Sequence, residues 1–189
     1  MFPDRPIILV SKSPRRSQLL QEAGFGFTVH PLDVNEDFSS DMPPEEVAEY
    51  LARRKALAGA HLIKQDEIIL AADSTVLLDG EIFNKPADHA DAVRMIRRLS
   101  GRTHRVVTGV CLLAKEKEVS FSGITDVTFA ELTDQEIDFY VRLYQPFDKA
   151  GAYGVQEWLG LCKITRLEGT YSNVKGLPVD LVYAKLQLF

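Results

Sequence analysis

The segment from Ser11 to Arg16 reads Ser-Lys-Ser-Pro-Arg-Arg and carries hydroxyl, ammonium and guanidinium groups. All three kinds of group bind phosphate oxygens, and a guanidinium does so through two parallel hydrogen bonds. Ser13 fits the position before a helix and Pro14 its first position, where unpaired backbone N–H groups attract anions. An ordinary strand–helix junction with solvated arginines would have the same pattern. Arg15 and Arg16 in the first turn oppose the helix dipole, which favours their use as anion ligands.

A carboxylate, Asp73, stands in the middle of the most hydrophobic stretch of the chain, residues 67–78. A buried carboxylate is costly unless it is paired, hydrogen-bonded or metal-bound, so Asp73 either caps neighbouring amides or does chemistry. The Asp79-Gly80 pair predicts a tight hairpin after this strand. The returning strand ends near Lys85, and hairpin pairing would bring Lys85 back towards Asp73 and Ser74.

A long helix is predicted to position some of these groups. It begins within residues 41–44 and runs to about Gln65. Its apolar stripe includes Leu51 and Ala58, and Lys55 falls on the same stripe. A lysine on an inward face either extends to solvent or meets an anion. Glu36, in an acidic turn before the helix, is a candidate partner for a cation or a metal.

Together these residues fit a polyphosphate substrate. The cations and hydroxyls suit its phosphates, and Glu36 and Asp73 suit a divalent metal or an activated water. Neither a P-loop nor a dinucleotide-binding G-x-G-x-x-G occurs in the sequence. The loop over residues 146–156 contains glycines and small residues where backbone can approach a ligand closely, and it ends at Gln156.

The composition indicates one soluble domain over residues 1–189. Hydrophobic residues make up 46% of the chain and charged residues 26%. The net charge of −5 makes a nonspecific nucleic-acid binder an unlikely class, so we expect no nucleic-acid partner. The apolar runs are too short to span a bilayer and no signal peptide is recognisable, so we expect a cytoplasmic protein without a membrane partner. The two cysteines are expected to be reduced and buried, and the four histidines to lie on the surface or at strand ends.

Strands and helices alternate early in the chain, whereas the middle is rich in hairpins. This pattern predicts an α/β fold with a mixed, curved central sheet flanked by helices. Strands are predicted at 7–10, 25–34, 67–78, 81–83, 103–114, 119–132 and near 162–166. Helices are predicted at 14–23, 44–65, 88–100, 133–144 and after Pro178.

The chain resembles the Maf nucleotide pyrophosphatases over nearly its whole length. The resemblance is carried by several motifs in order: 11–16, Lys55 with its neighbours, 72–74 with 85–86, 99–101, 148–156 and 173–178. The loop from Asp148 to Gln156 is similar to that of the branch acting on dTTP and UTP.

The resemblance implies hydrolysis of a nucleoside triphosphate between the α and β phosphates, giving monophosphate and pyrophosphate. It also implies a divalent cation (Mg²⁺ or Mn²⁺), a Maf/ITPase-like fold of two lobes with a cleft, and often a homodimer. Asp73 falls on the proton acceptor of the family, and Arg15, Ser74 and Gln156 fall on positions linked to substrate choice. Whether Asp73 acts mainly as base or as metal ligand stays open.

Three positions depart from the family pattern. Ser74 stands where this branch usually has threonine, Asn35 where an acidic residue usually precedes Glu36, and Lys175 where an apolar residue is usual. Two other functions stay open at this point. One is a house-cleaning hydrolase of modified nucleotides, and the other is a nucleotide-binding regulator, for example of cell division.

Overall fold

A computed structural model describes residues 5–189. Its seven strands are β1 (Ile7–Val10), β2 (Phe27–Val29), β3 (Ile68–Leu78), β4 (Glu81–Phe83), β5 (Thr103–Leu113), β6 (Glu118–Phe129) and β7 (Ile164–Glu168). The α-helices are α1 (Pro14–Glu22), α2 (Pro44–Ala58), α3 (His89–Leu99), α4 (Asp134–Tyr144), α5 (Trp158–Lys163), α6 (Tyr171–Lys175) and α7 (Val179–Leu186). Short 3₁₀ turns cover Ala60–Leu62 and Ala150–Ala152. Within residues 5–189, no helix has both the length and the apolar character needed to cross a membrane.

The strands form one mixed sheet in the order β2-β1-β3-β5-β6-β7, with β4 paired to β3. Strand β1 runs parallel to β2 and to β3, while β4 runs antiparallel to β3 and β7 antiparallel to β6. The β3–β4 pair is a hairpin, whereas β6 and β7 are connected through α4 and α5. The predicted mixed sheet with flanking helices is therefore confirmed.

The chain divides into two compact units, and the first contains residues up to Ser74, 108–123 and 176–189. Strand β1 is buried along its whole length, because parallel strands between helices have no face in solvent. Two apolar clusters form here. One packs α1 and α7 against β1, and the other packs α2 against β1 and β3. Ser11 follows directly on β1, and Asp73 and Ser74 belong to β3, so these packed strands carry polar residues.

The second unit contains residues 75–107 and 124–175. An apolar cluster in this unit is formed by α3, α4, α5 and the parts of the strands that belong to the unit. The Asp79-Gly80 turn has φ of 52° and 78°, as a type I′ hairpin requires, so the predicted hairpin is confirmed. Helix α4, predicted over 133–144, begins with a capping box of Thr133 and Glu136.

Several element boundaries differ from the sequence-based prediction. Helix α2 ends at Ala58 rather than near residue 65. Gly59, which follows it, packs so closely on β1 that an added Cβ would lie 2.9 Å from Val10 Cγ2. Strand β2 covers only Phe27–Val29. The strand predicted near 162–166 begins at Ile164, and the residues before it form α5, since a short apolar run does not distinguish helix from strand.

The expectation about the cysteines was wrong in part. Both cysteines are free, but only Cys111 is buried, whereas Cys162 is exposed. His104 lies near the start of β5, at the end of a strand as expected, and it is buried.

Candidate active site

The turn between β1 and α1 places two serine hydroxyls at the start of the helix. Ser11 is buried, and its Oγ accepts a 3.1 Å hydrogen bond from the backbone N–H of Ser13. Ser13 directly precedes α1, as predicted, but its side chain makes no capping bond. A cavity of about 360 Å³ lies beside this turn and is lined in part by Ser11, Ser13 and Ser17. A cavity with hydroxyls beside a helix N-terminus suits an anionic group.

Arg16, in the first turn of α1, connects three segments of the first unit. Its Nε donates to the carbonyl of Gly176 at 2.8 Å, Nη1 to Ser11 Oγ at 3.3 Å and Nη2 to Ser74 Oγ at 3.2 Å. The Ser74 hydroxyl also bonds Thr108 Oγ1 at 2.9 Å. Gly176 has φ of 123°, which a residue with a side chain rarely adopts. The planar guanidinium is therefore held in one orientation.

Burial lowers the pKa of the Arg16 guanidinium, while the charge of Asp73 raises it and that of neighbouring Arg15 lowers it. A guanidinium nevertheless stays protonated in proteins. Arg15 and Arg16 thus place two positive charges in one helical turn next to Asp73. Such a local basic site in a protein of net charge −5 is suited to a discrete anion rather than to an extended polyanion.

Lys55 extends from α2 to two carboxylates. Its Nζ lies 2.6 Å from Glu36 Oε1 and 2.5 Å from Asp73 Oδ1. The side chains of Lys55 and Asp73 are each 15% exposed, so both charges are largely removed from water. Burial of Asp73 is compensated by this pairing. Of the two alternatives for a lysine on this stripe, contact with an anion is the one observed.

Two predicted site residues, Lys85 and Gln156, belong to the second unit. Lys85 follows β4 and is exposed. The carbonyl of its neighbour Asn84 accepts from the backbone N–H of Gly151, which ties the end of this hairpin to the loop before Gln156. The Oε1 atom of Gln156 is buried and accepts no hydrogen bond from any residue of the described range 5–189. A ligand that donates a hydrogen bond would satisfy this acceptor.

The donor atoms present also fit a divalent cation of a particular kind. In the described part of the chain, no three His, Cys, Asp or Glu side chains are grouped so as to hold a metal. Glu36 and Asp73 supply two carboxylates that already converge on one cation, the Lys55 ammonium. Mg²⁺ is commonly held by one or two carboxylates together with substrate phosphates and water. The residues therefore fit a metal that arrives with a polyphosphate.

Sequence reasoning missed several partners of the site. Thr108 and the carbonyl of Gly176 complete the bonding around Arg16 and Ser74. Nothing in the local pattern distinguishes Thr108 from other strand threonines, because its partner is 34 positions away. Lys175, beside Gly176, is buried.

Comparison with known proteins identifies relatives along almost the entire chain. A protein named dTTP/UTP pyrophosphatase from Phocaeicola vulgatus is 46% identical over 182 residues, covering 96% of this chain and 94% of that protein. One of the same name from Porphyromonas gingivalis is 46% identical over 186 residues, covering 97% and 94%.

A solved structure of the Ham1 protein from Staphylococcus aureus has a TM-score of 0.47 at 16% identity, over 67% of this chain and 73% of that one. This likeness is too weak to add to the assignment. A family model described as Maf-like protein matches residues 6–189. With this match and the two relatives at 46% identity, the chain belongs to the Maf family.

Proposed function

We propose that this protein hydrolyses dTTP and UTP between the α and β phosphates, releasing the nucleoside monophosphate and pyrophosphate. The two relatives are named dTTP/UTP pyrophosphatases, and the match to them covers nearly their full length. The observation that supports it most directly is the Lys55–Asp73 pair beside Arg16. It places a carboxylate and several cations within one small region, as hydrolysis of a phosphoanhydride requires.

In this proposal the cations neutralise and orient the triphosphate. Arg15, Arg16, Lys55 and Lys85 are assigned to its phosphate oxygens, and Ser11 and Ser13 to hydrogen bonds with them. Phosphoryl-group chemistry depends chiefly on positioning and charge stabilisation, so these groups act mainly by holding the α-phosphorus in line with a water. Ser74 holds the Arg16 guanidinium and so takes part in the same arrangement.

Asp73 is assigned to the proton of the attacking water. Lys55 binds Oδ1, so Oδ2 takes the proton as the water oxygen bonds to the α-phosphorus. The bond between the α-phosphorus and the bridging oxygen breaks, and pyrophosphate leaves with both electrons of that bond. Glu36 and Asp73 would hold Mg²⁺ or Mn²⁺, which when bound neutralises charge on the phosphates.

Gln156 is assigned to the base. A side-chain amide both donates and accepts hydrogen bonds, as the edge of uracil or thymine also does. A site built on such bonds rejects a base that leaves them unpaired. Within residues 5–189 the buried Oε1 of Gln156 accepts no hydrogen bond, so it can accept one from an N–H of the base.

A product assay tests the proposal. The protein is incubated with dTTP, UTP, CTP, ATP, GTP and 7-methyl-GTP in Mg²⁺ or Mn²⁺, and nucleotides and pyrophosphate are quantified. We expect monophosphate and pyrophosphate, with dTTP and UTP used best. Diphosphate with inorganic phosphate would contradict attack at the α-phosphorus, and absence of turnover would favour a binding protein. Equal use of all bases would favour the house-cleaning hydrolase.

A further inference from the structure

A buried polar cluster lies under the loop that carries Gln156, and the reaction proposed above does not use it. Tyr140, on α4, is fully buried, and its Oη donates to Glu157 Oε2. The other oxygen of that carboxylate, Oε1, lies 3.1 Å from Lys149 Nζ. The cluster therefore links a helix to both ends of the 149–157 segment through side chains alone.

Burial of this cluster is costly unless all of its groups are paired. Lys149 and Glu157 are only 11% and 15% exposed, so neither charge is well hydrated. Burial and the Glu157 carboxylate both raise the pKa of Tyr140, which keeps the phenol protonated as a donor. An apolar cluster would stabilise the core as well or better, whereas a paired polar cluster fixes one geometry.

The cluster reaches Gln156 through Gly154. The backbone N–H of Gly154 donates to Tyr140 Oη at 3.0 Å, so the phenol fixes this peptide. A Cβ on Gly154 would lie 2.8 Å from Gln156 Nε2 and 2.8 Å from Glu157 Cδ. The amide of Gln156 therefore packs directly against the peptide that Tyr140 holds.

We propose that Tyr140 and Glu157 are positioning residues that set where Gln156 presents its amide, and thereby which base is accepted. The proposal rests on the function proposed above, since it assigns the origin of base choice in the same reaction. Tyr140 does not touch substrate in this account; it acts through Gly154 and Gln156. Loss of its hydroxyl moves the amide and relaxes the choice between bases without changing the phosphate-binding groups.

The test compares kcat/KM for UTP with that for CTP in the wild type and in Tyr140→Phe. A fraction of an ångström matters in such positioning, so we expect the UTP-to-CTP ratio to fall by about threefold or more in the variant. Loss of folded protein lowers both values equally and cancels in the ratio. Tyr144→Phe is the matched control, because Tyr144 stacks on Tyr140 from the same helix and its ratio should not change.

A double variant tests whether Tyr140 acts on base choice through Gln156. In a Gln156→Ala background, Tyr140→Phe should leave the ratio unchanged, because the positioned group is absent. A further fall in that background, or an unchanged ratio in a folded Tyr140→Phe protein, overturns the proposal. If Tyr140→Phe does not fold, Glu157→Gln decides, since it keeps the shape of the side chain and removes the charge that contacts Tyr140 and Lys149. An unchanged ratio there also overturns it.

The wild-type measurement separates this proposal from the function it rests on. A wild type that does not cleave UTP to UMP and pyrophosphate contradicts the proposed function itself. A wild type that cleaves UTP in preference to CTP, with variants of unchanged ratio, contradicts only the role of Tyr140 and Glu157.

Discussion

At the scale of single residues, the ammonium of Lys55 forms ion pairs with two carboxylates of the first unit. It contacts Glu36 and Asp73 together, at 2.6 Å and 2.5 Å. The Arg16 guanidinium also interacts with both carboxylates through its charge, so the cations of this region outweigh its two carboxylates. The Lys55 contact holds Asp73 through Oδ1, and in the proposed reaction Oδ2 takes the proton. Such an arrangement assigns different tasks to the two oxygens of one carboxylate.

The prediction at this scale concerns Asp73→Asn. The amide retains the shape of the carboxylate but is a poor proton acceptor, and Lys55 keeps its contact with Glu36, so we expect a folded protein. Loss of a positioned general base typically lowers the rate by ~10²–10⁴, which is the fall in kcat that we expect for UTP. Calorimetry with an α,β-imido analogue of UTP should show that binding persists.

Asp41→Asn is the control for Asp73→Asn. Asp41 is exposed, so its replacement removes the same charge at a distance from the proposed chemistry. Its kcat should equal that of the wild type. A kcat at the wild-type level in Asp73→Asn itself would exclude this residue as the general base.

At the scale of elements, β5 carries a polar residue into the apolar core of the second unit. His104 Nε2 bonds Tyr153 Oη at 2.7 Å, and its ring packs edge-on against Phe129 with centroids 4.9 Å apart. The Nδ1 atom has no hydrogen-bond partner within residues 5–189. Burial lowers the pKa of His104 to about 4, so the ring is neutral at pH 7.

The prediction at this scale is a pH-dependent stability. The folded pKa is about 4 and an unfolded histidine titrates near 6.5, so the unfolded chain binds the proton first as pH falls. The contribution of His104 to the free energy of unfolding is therefore fully present above about pH 6.5. It falls by about 2 kcal/mol between pH 7 and pH 4.5. Urea unfolding at both pH values measures it.

His104→Gln removes the titration and keeps a polar group for Tyr153, so its free energy of unfolding should depend less on pH. His89→Gln is the matched control for the loss of an imidazole, because the His89 side chain is 48% exposed. Equal pH dependence in wild type and His104→Gln would contradict the buried, neutral state of His104.

At the scale of the whole molecule, the residues assigned to the phosphates and to the base belong largely to different compact units. Arg16, Lys55 and Asp73 lie in the first unit, and Gln156 with the cluster around Tyr140 lies in the second. This division predicts two kinds of variant. Changes at Arg16 should affect all nucleotides alike, whereas changes at Gln156 should affect the choice between them.

The prediction at this scale compares Arg16→Lys with Gln156→Ala. Lysine cannot reproduce the three hydrogen bonds of the guanidinium, so kcat/KM should fall by one common factor for UTP and CTP. Gln156→Ala should lower the UTP-to-CTP ratio by about tenfold, because hydrogen bonds of about 0.5–1.5 kcal/mol each are lost from one base only.

Arg142→Lys is the control for the arginine change, since Arg142 is 73% exposed and pairs with Asp138 one helical turn away. It should match the wild type for both nucleotides. The division of roles is wrong if Arg16→Lys changes the ratio between bases, or if Gln156→Ala leaves that ratio at the wild-type value.

The amino-acid sequence alone determined the family, the mixed α/β class and most elements, because hydrophobic period, turn residues and motif order are local properties. The Asp79-Gly80 hairpin and the Thr133 capping box followed directly from residue type. The ends of some elements did not follow from residue type. Helix α2, for example, stops just before Gly59, which packs against a strand almost fifty residues earlier in the chain.

Only the tertiary structure decided which polar residues meet. The sequence left Lys55 either in solvent or beside an anion, and the fold brings Glu36 and Asp73 to it. It also decided the burial of His104, the exposure of Cys162 and the contact of Tyr140 with Gly154. The reason is physical: a buried charge or hydroxyl is paired by groups distant in the chain, and local sequence does not encode that distance.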